Sequence, residues 1–197
     1  MTLMERRTPD RRKQVIEAAS RSFAAFGYKA TTMDQVAKAA GVGKGTIYTF
    51  FANKEELFEE ILKDLIRELR AVAEETVNHT LPFADNLMQV LQRVLGYRDR
   101  HALVAKLSQE VRDLGTPMAK EGLEAVERSI IAYIANHLEE PMAKGEIKRA
   151  DPQLTAYMML KMYLALTAEG SHLHAPLSAE EVLAHFRFYC IEGLAVR

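Results

Sequence analysis

Cysteine is nearly absent from this chain, since Cys190 is the only one among 197 residues. A single thiol cannot close an internal disulfide, which excludes a disulfide-stabilised secreted scaffold. Long apolar runs are also missing: the richest, residues 156–168, is shorter than the ~18 residues of a membrane span and contains Lys161. The first twelve residues are rich in charged side chains, unlike the apolar stretch of a secretory signal. These features predict a cytoplasmic protein with no membrane partner.

Strand patterning is the third absence, because no segment alternates apolar and polar residues over the length of a strand. Helix starts are frequent instead. Four of the six prolines stand where a helix can begin, directly after a plausible first residue: Pro9, Pro82, Pro117 and Pro152. Proline suits the first position of a helix because the N–H that it lacks would have no partner there. Capping boxes are predicted at Thr32–Gln35, Asn53–Glu56 and Ser178–Glu181.

The apolar spacing between these starts is helical and predicts an all-α chain of about nine helices. The predicted ranges are 9–27, 32–40, 43–50, 54–78, 82–98, 100–113, 117–140, 152–173 and 179–195. We divide them into an N-terminal domain, residues 1–54, and a C-terminal helical bundle domain, residues 55–197.

Charge is unevenly distributed although the net charge is only −1. Residues 1–54 hold ten of the 26 basic residues and four of the 27 acidic ones, which leaves 16 basic and 23 acidic residues in the remainder. A basic N-terminal region on an acidic body is expected when one end meets phosphates. Chance clustering on a solvated face is the alternative.

Two short predicted helices flank Gly41-Val42-Gly43, a tight turn in which glycine permits positive φ. This arrangement is typical of a helix-turn-helix, whose second helix enters the major groove N-terminus first. Gly45 then lets the backbone approach DNA, and Thr46 and Tyr48 offer hydroxyls to phosphates.

Further contacts flank this segment. Lys44 can reach a phosphate or a guanine edge. Thr32 and Lys54, at two neighbouring helix N-termini, are expected to contact phosphates with help from the helix dipoles. The opposite face of the second helix should pack inward, with Ile47 and Phe51 against Phe23, Phe26 and Val36.

From Arg11 to Phe58 the chain resembles the TetR (tetracycline-repressor-like) family of bacterial regulators. The matching residues are Ile16-x-x-Ala19, Phe23-x-x-x-Gly27-Tyr28, Thr31-Thr32-Met33-x-x-Val36-Ala37, Ala40-Gly41-Val42, Lys44-Gly45-Thr46-Ile47-Tyr48, Phe51 and Asn53-Lys54-Glu55-Glu56-Leu57. They span about a quarter of the chain without gaps in spacing.

The resemblance implies a homodimer that binds a double-stranded DNA operator through a three-helix domain. A small-molecule effector bound in the C-terminal domain would release it. It implies DNA contacts at Thr32, Lys44, Gly45, Thr46, Tyr48 and Lys54. Gly43 replaces a frequent capping Ser, and Thr49-Phe50 replaces a common His-Tyr pair, which removes a hydroxyl and an imidazole.

In such a dimer the last two long helices would pair with their twofold mates. The expected stripes are Leu160, Leu164, Thr167 and Ser171 on one helix and Val182, Phe186, Tyr189 and Gly193 on the other. An intramolecular core is the alternative for each of them.

Methionine and tyrosine together suit a pocket for apolar ligands, although they also fill ordinary cores. The candidate pocket residues, including polar ones that could orient a ligand, are Met88, Tyr97, His101, Glu110, Met118, Tyr133, Met158 and Met162. Movement of the long helix 54–78 would couple this pocket to DNA.

A metal- or redox-responsive regulator, or an all-helical enzyme, is the alternative class. His172-x-His174 near Glu169 is the only cluster that resembles metal ligands, but its spacing suits a strand better than a helix. Cys190 on an apolar helix is typical of an inert core thiol. No catalytic or phosphate-loop signature is found, so we expect no enzyme activity, no cofactor and no metal. An activator, or a regulator without an effector, remains open.

Overall fold

The computed structural model describes residues 10–169 and 175–193, without the side chains of residues 98–100, 168 and 169. Within these residues it contains nine α-helices and no strand. Their bounds are α1 Arg11–Ala30, α2 Met33–Ala39, α3 Lys44–Phe50, α4 Lys54–Thr76, α5 Phe83–Leu95, α6 Arg98–Leu114, α7 Pro117–Lys144, α8 Pro152–Leu164 and α9 Ala179–Phe186. The predicted all-α fold is confirmed.

The helix starts follow the capping residues of the sequence. Thr32 and Ser178 form complete capping boxes with Gln35 and Glu181. Asn53 accepts from the N–H of Glu56 at the start of α4. Local sequence therefore determines where these helices begin.

The helix ends differ from prediction where the backbone departs from α geometry. Gly27, the predicted end of α1, has φ 84° and ψ 172°, and one further helical turn follows it to Ala30. α7 passes through Pro141 and stops at Gly145, which has φ 74°. After α8 and α9 the chain continues as π-helix over Ala165–Glu169 and Arg187–Glu192; the predicted residues 170–173, 194 and 195 lie outside the described ranges.

Two apolar clusters form the core. The first joins α1–α4 to α6 and α7, and its buried centre includes Phe23, Phe51, Phe58 and Leu107. The second joins α5, α7, α8 and α9 around Leu138. Because the first cluster crosses residue 54, the N-terminal helices share a core with the body.

Nowhere in the described ranges does a helix have the length and apolar character that crossing a bilayer requires.

Candidate nucleic-acid interface and effector cavity

The turn between α2 and α3 is closed by backbone hydrogen bonds. Gly41 has φ 66°, the left-handed conformation expected of it, whereas Gly43 has φ −68° and needs no such freedom. The N–H of Val42 donates to the carbonyl of Ala37 over 3.0 Å. Positive φ was predicted for the turn, and the structure restricts it to Gly41.

α3 has one buried and one exposed face. Ile47 is fully buried and Phe51, which follows the helix, is 1% exposed; both lie in one cluster with Phe23 and Val36. Phe26 does not join them as predicted: it is 63% exposed, because it lies on the outer side of α1. With one face of α3 anchored in the core, its other face is free for a ligand.

The exposed face of α3 presents Lys44, Gly45 and Tyr48, with Thr46 half-buried beside them. Gly43, the N-cap, offers no side chain to the first turn; the N–H of Thr46 donates to the Gly43 carbonyl over 2.9 Å, and the N–H groups of Lys44 and Gly45 precede it at the start of the helix. A Cβ added at Gly45 would meet no atom within 4 Å, so the surface above this residue is open. This set matches four of the six predicted DNA-contact residues.

Lys44 already has a partner across the turn. Its Nζ lies 2.8 Å from Oδ2 of Asp34, and this bond raises the pKa of Lys44. Both side chains are well exposed, so water and ions screen the pair and a phosphate can replace the carboxylate at little cost.

Thr32 and Lys54 have structural roles as well as predicted DNA contacts. The Thr32 hydroxyl accepts from the N–H of Gln35 in the capping box over 3.3 Å. The Lys54 ammonium donates to the carbonyls of Tyr28 and Thr31, each over 3.0 Å, and lies 4.3 Å from the centre of the Tyr28 ring. Two of its three N–H groups thus hold the end of α1, and one remains.

The N-terminal helices are joined to the body at Glu110, which was predicted to line the effector pocket. The structure corrects this prediction. Glu110 is 5% exposed, its Oε1 accepts from the N–H of Lys29 over 3.0 Å, and a Cβ at Gly27 would collide with its carboxylate. The side chain therefore holds α6 against α1, and sequence spacing gave no sign of this long-range contact.

The body contains an apolar cavity of about 170 Å³ between α4, α5, α7, α8 and α9. α4 contributes Ile66, Leu69, Arg70 and Ala73 to its wall, and α7 contributes Ser129, Ile130, Tyr133 and Ile134. A smaller cavity of about 70 Å³ shares Leu69, Ile130 and Tyr163 with it and reaches α6. A cleft of about 440 Å³ adjoins it at Ala73 and Tyr133.

Three predicted pocket residues lie at these spaces: Tyr133 at the main cavity, and Tyr97 and His101 at the smaller one. His101 is hydrogen-bonded to the Tyr163 hydroxyl, and burial lowers the pKa of its imidazole. This hydrogen-bonded pair links α6 to α8.

The remaining pocket predictions are corrected. Met158 is 62% exposed, Met118 packs against the first core cluster and Met162 against the second. Met88 is half-buried on α5 and lines none of these three spaces. Aliphatic side chains from five helices form the wall instead, and composition alone cannot distinguish them from ordinary core.

The structure corrects the predicted dimer stripes at the residues that it places in the core or at the cavities. Val182 and Phe186 are 1% and 2% exposed within the second core cluster, and Leu160, Leu164 and Thr167 line the cavities. Tyr189 is 62% exposed, Gly193 is exposed, and Ser171 lies outside the described residues.

Exposed apolar side chains lie on α8 and on the π-helical segment Arg187–Glu192 that follows α9. We call Leu154, Tyr157, Met158, Phe188 and Tyr189 the exposed patch; each is at least 43% exposed. Large apolar patches on protein surfaces mark interaction sites. Of the predicted stripe residues, Tyr189 belongs to this patch.

The residues behind the alternative classes are Cys190, His172 and His174. Burial raises the pKa of the Cys190 thiol to about 11, so little thiolate forms near neutral pH. His172 and His174 lie outside the described residues. In the described part of the chain no three His, Cys, Asp or Glu residues cluster as metal ligands would.

This geometry defines a helix-turn-helix protein whose N-terminal helices pack on a helical body. Residues 15–61 match the model of "Bacterial regulatory proteins, tetR family". The chain is 46% identical to the HTH-type transcriptional regulator YhgD of Bacillus subtilis over 94% of this chain and 97% of the relative. The protein belongs to the TetR family of DNA-binding transcriptional regulators.

More distant proteins share the architecture. A repressor of Mycolicibacterium smegmatis, KstR2, is 24% identical over 93% of this chain and 90% of its own length. A TetR-family regulator structure from a Rhodococcus species superposes with a TM-score of 0.78 at 24% identity, over 94% of this chain and 98% of the other. The structure of SmeT bound to triclosan superposes with a TM-score of 0.73 at 18% identity, over 90% of each chain.

Proposed function

We propose that the protein is a homodimeric repressor that binds a palindromic operator and is released by a small, largely apolar effector in the body. It would act in the cytoplasm, where operator DNA lies, and needs no enzyme activity. The observation that supports this most directly is that one chain contains both a helix α3 with one face buried in the core and the other exposed, and an apolar cavity in the body.

The proposed DNA contacts are those of the exposed face of α3 and its neighbours. Lys44 and Gly45 begin the recognition helix, Tyr48 and Thr46 offer hydroxyls to phosphates, and Thr32 and Lys54 flank them. The N–H groups of Lys44 and Gly45, to which the Gly43 N-cap offers no side chain, would add backbone donors to a phosphate.

Dimerisation through the exposed patch would bring two such helices to successive half-sites, about 34 Å apart on one face of the duplex. A twofold axis through this patch would bury aromatic and aliphatic side chains that water now covers. The name of the relative KstR2 as a repressor supports the sign of regulation, and the complex of SmeT with triclosan is an example of a small apolar molecule bound by a protein of this fold.

Coupling between the two sites would use α4 and α6. α4 begins at the DNA-binding helices with Lys54 and lines the cavity with Leu69 and Ala73. α6 lines the smaller cavity with His101 and holds α1 through Glu110. An effector that separates these helices would shift the spacing of the two α3 helices, and a coupling of about 1–3 kcal/mol changes operator occupancy appreciably.

The test is operator binding by variants over a salt series. Lys44→Ala should weaken binding, lower the salt dependence and relax sequence preference, while Tyr48→Phe should weaken all sites alike. Lys120→Ala, on the exposed side of α7, is the charge-matched control and should bind as the wild type. Equal affinities for all four proteins would refute the assignment of α3.

Dimerisation is tested separately by sedimentation. Phe188→Asp in the exposed patch should give monomers that bind a full operator poorly. The control is Phe26→Asp, which changes an equally exposed phenylalanine outside the patch and should remain dimeric. A dimeric Phe188→Asp protein would disprove this interface.

A further inference from the structure

The wall that α4 and α7 contribute to the main cavity contains a hydroxyl without a partner. The Tyr133 Oη is buried and makes no hydrogen bond to any described residue. Buried hydroxyls are nearly always paired in folded proteins, and an unpaired one costs free energy. Tyr133 lines both the 170 Å³ cavity and the adjoining cleft. A molecule in either space therefore lies against the residue that carries this hydroxyl.

Arg70 lies beside this tyrosine on the same wall. Its guanidinium carbon is 5.7 Å from the centre of the Tyr133 ring, and its Nη2 donates to the Ser129 Oγ over 2.9 Å. No carboxylate of the described residues lies within ion-pair distance of it. Because Ser129 accepts from Arg70, its own hydroxyl proton remains to be donated. Arg70, which is exposed, and Ser129 are thus bonded to each other beside the unpaired Tyr133 hydroxyl.

The other polar pair of the cavity is different. His101 and Tyr163 are hydrogen-bonded to each other, so neither needs a ligand to complete it. The remaining wall of the main cavity is aliphatic apart from Phe186. The buried polar atom of this wall that has no partner among the described residues is therefore the Tyr133 Oη, beside Arg70 and Ser129.

The size of the cavity limits the apolar part of a ligand. A cavity of about 150 Å³ in another protein holds one benzene molecule, and the main cavity here is about 170 Å³. It therefore suits an apolar group a little larger than benzene, or a medium-length chain that extends into the smaller cavity past Leu69 and Ile130.

We propose that the effector is a carboxylate with a medium-length apolar chain, held with its chain in the main cavity and its carboxylate between Arg70 and Tyr133. This inference rests on the proposed function and adds the chemical class of the effector. A carboxylate accepts charge-assisted hydrogen bonds from guanidinium and hydroxyl groups, and it would satisfy the Tyr133 hydroxyl.

Glu74 provides a further test of the proposal because its negative charge opposes the effect of the Arg70 charge on Tyr133. Burial raises the pKa of Tyr133, Glu74 raises it further and Arg70 lowers it, so both charges act at the phenol oxygen. Glu74 lies one turn after Arg70 on α4 and would repel an anion there. Selection of a carboxylate would then depend on direct hydrogen bonds from Arg70, and removal of the Glu74 charge should strengthen it.

The experiment measures binding of octanoate, octanamide and octan-1-ol to the full-length protein by calorimetry. The wild type should prefer octanoate over octanamide by at least about tenfold. Arg70→Gln should abolish this preference, Tyr133→Phe should weaken octanoate binding about fivefold to tenfold, and Glu74→Gln should strengthen octanoate binding without changing that of octanamide. Arg128→Gln, an arginine of α7 paired with Glu124, is the control and should behave as the wild type.

The location is tested by Ala73→Phe, which fills the cavity and should abolish binding of all three compounds. Each variant is first checked for helix content and operator binding, so that a misfolded protein is not counted. Equal binding of octanoate and octanamide, an unchanged preference in Arg70→Gln, or no binding of octanoate by the wild type would each overturn the proposal. If the carboxylate proposal fails in one of these ways but octan-1-ol still releases the operator, the proposed function stands. If the wild-type protein binds no operator at all, the proposed function itself is refuted.

Discussion

In the helix-turn-helix, all proposed contact residues lie between Thr32 and Lys54 along the chain. The wall of the effector cavity instead combines side chains from five helices, from Ile66 on α4 to Phe186 on α9. The first site is local in sequence and depends on caps and a tight turn. The second exists only after the helices have packed.

This difference explains why the two regions respond differently to sequence change. A helix cap or a turn with positive φ needs a particular residue type at one position, because only that type satisfies the local backbone. An aliphatic wall requires only approximate volume and polarity, and many residues satisfy it. Ligand specificity can therefore change in the body while the DNA-binding helices stay the same.

The largest expected effect concerns the core that the two regions share. Phe58 is fully buried and its ring centre lies 5.3 Å from that of Phe23 and 4.8 Å from that of Tyr28. Phe58→Ala should lower the free energy of unfolding by about 3–5 kcal/mol, measured by chemical denaturation, because a cavity opens between α1 and α4.

Phe26→Ala, which changes a phenylalanine that is 63% exposed, is the control and should change stability by less than about 0.5 kcal/mol. If Phe58→Ala melted the body at the wild-type temperature and lost only the N-terminal helices, the shared core would not couple the two regions.

Most helix boundaries and the inward face of α3 could be predicted from the sequence because caps, prolines and apolar spacing act locally. Ile47 and Phe51 were placed correctly, whereas Phe26 was not, since one apolar stripe on α1 does not tell which residues other helices cover. Glu110, Met158 and Phe186 were misplaced for the same reason: their surroundings come from distant segments. The unpaired Tyr133 hydroxyl was likewise invisible without the packed helices.

The next effect concerns the junction at Glu110. Glu110→Ala removes the acceptor of the Lys29 N–H from a buried position and should destabilise the protein by about 1–2 kcal/mol. Amide exchange at Lys29 should accelerate more than exchange in α7. Glu110→Gln keeps an acceptor oxygen and should retain most of the protection. Equal protection in Glu110→Ala would mean that the carboxylate does not hold α1.

Two glycines of the helix-turn-helix separate stability from DNA binding. Gly41 has φ 66°, so Gly41→Ala should cost about 1 kcal/mol although a Cβ there meets no atom within 4 Å. Gly45 lies in α3, where alanine favours the helix, and Gly45→Ala should stabilise the fold by about 0.5–1 kcal/mol.

The same Gly45→Ala variant should bind the operator more weakly, because its methyl group separates the backbone from DNA. Thermal melts and operator titration on the same samples measure both effects. A variant that is more stable and binds equally well would show that the backbone of α3 does not approach the duplex at this residue.

The smallest effect is a pH dependence at the start of α4. The Tyr28 hydroxyl donates to Oε1 of Glu55 over 2.6 Å, and this bond holds the pKa of Glu55 below its usual value. Because the folded pKa is lowered, the bond stabilises the protein above the unfolded Glu pKa of about 4.3, and this contribution disappears as the pH falls through the folded value. Tyr28→Phe should therefore reduce stability at neutral pH, by less than about 1 kcal/mol because Glu55 is exposed, and the difference from wild type should vanish in acid.

Tyr48→Phe, which changes an exposed tyrosine outside this bond, is the control and should show no such pH dependence. A Tyr28→Phe difference that persists at low pH would instead come from changed packing against Phe58, and would assign the stability of this region to its core rather than to its polar contacts.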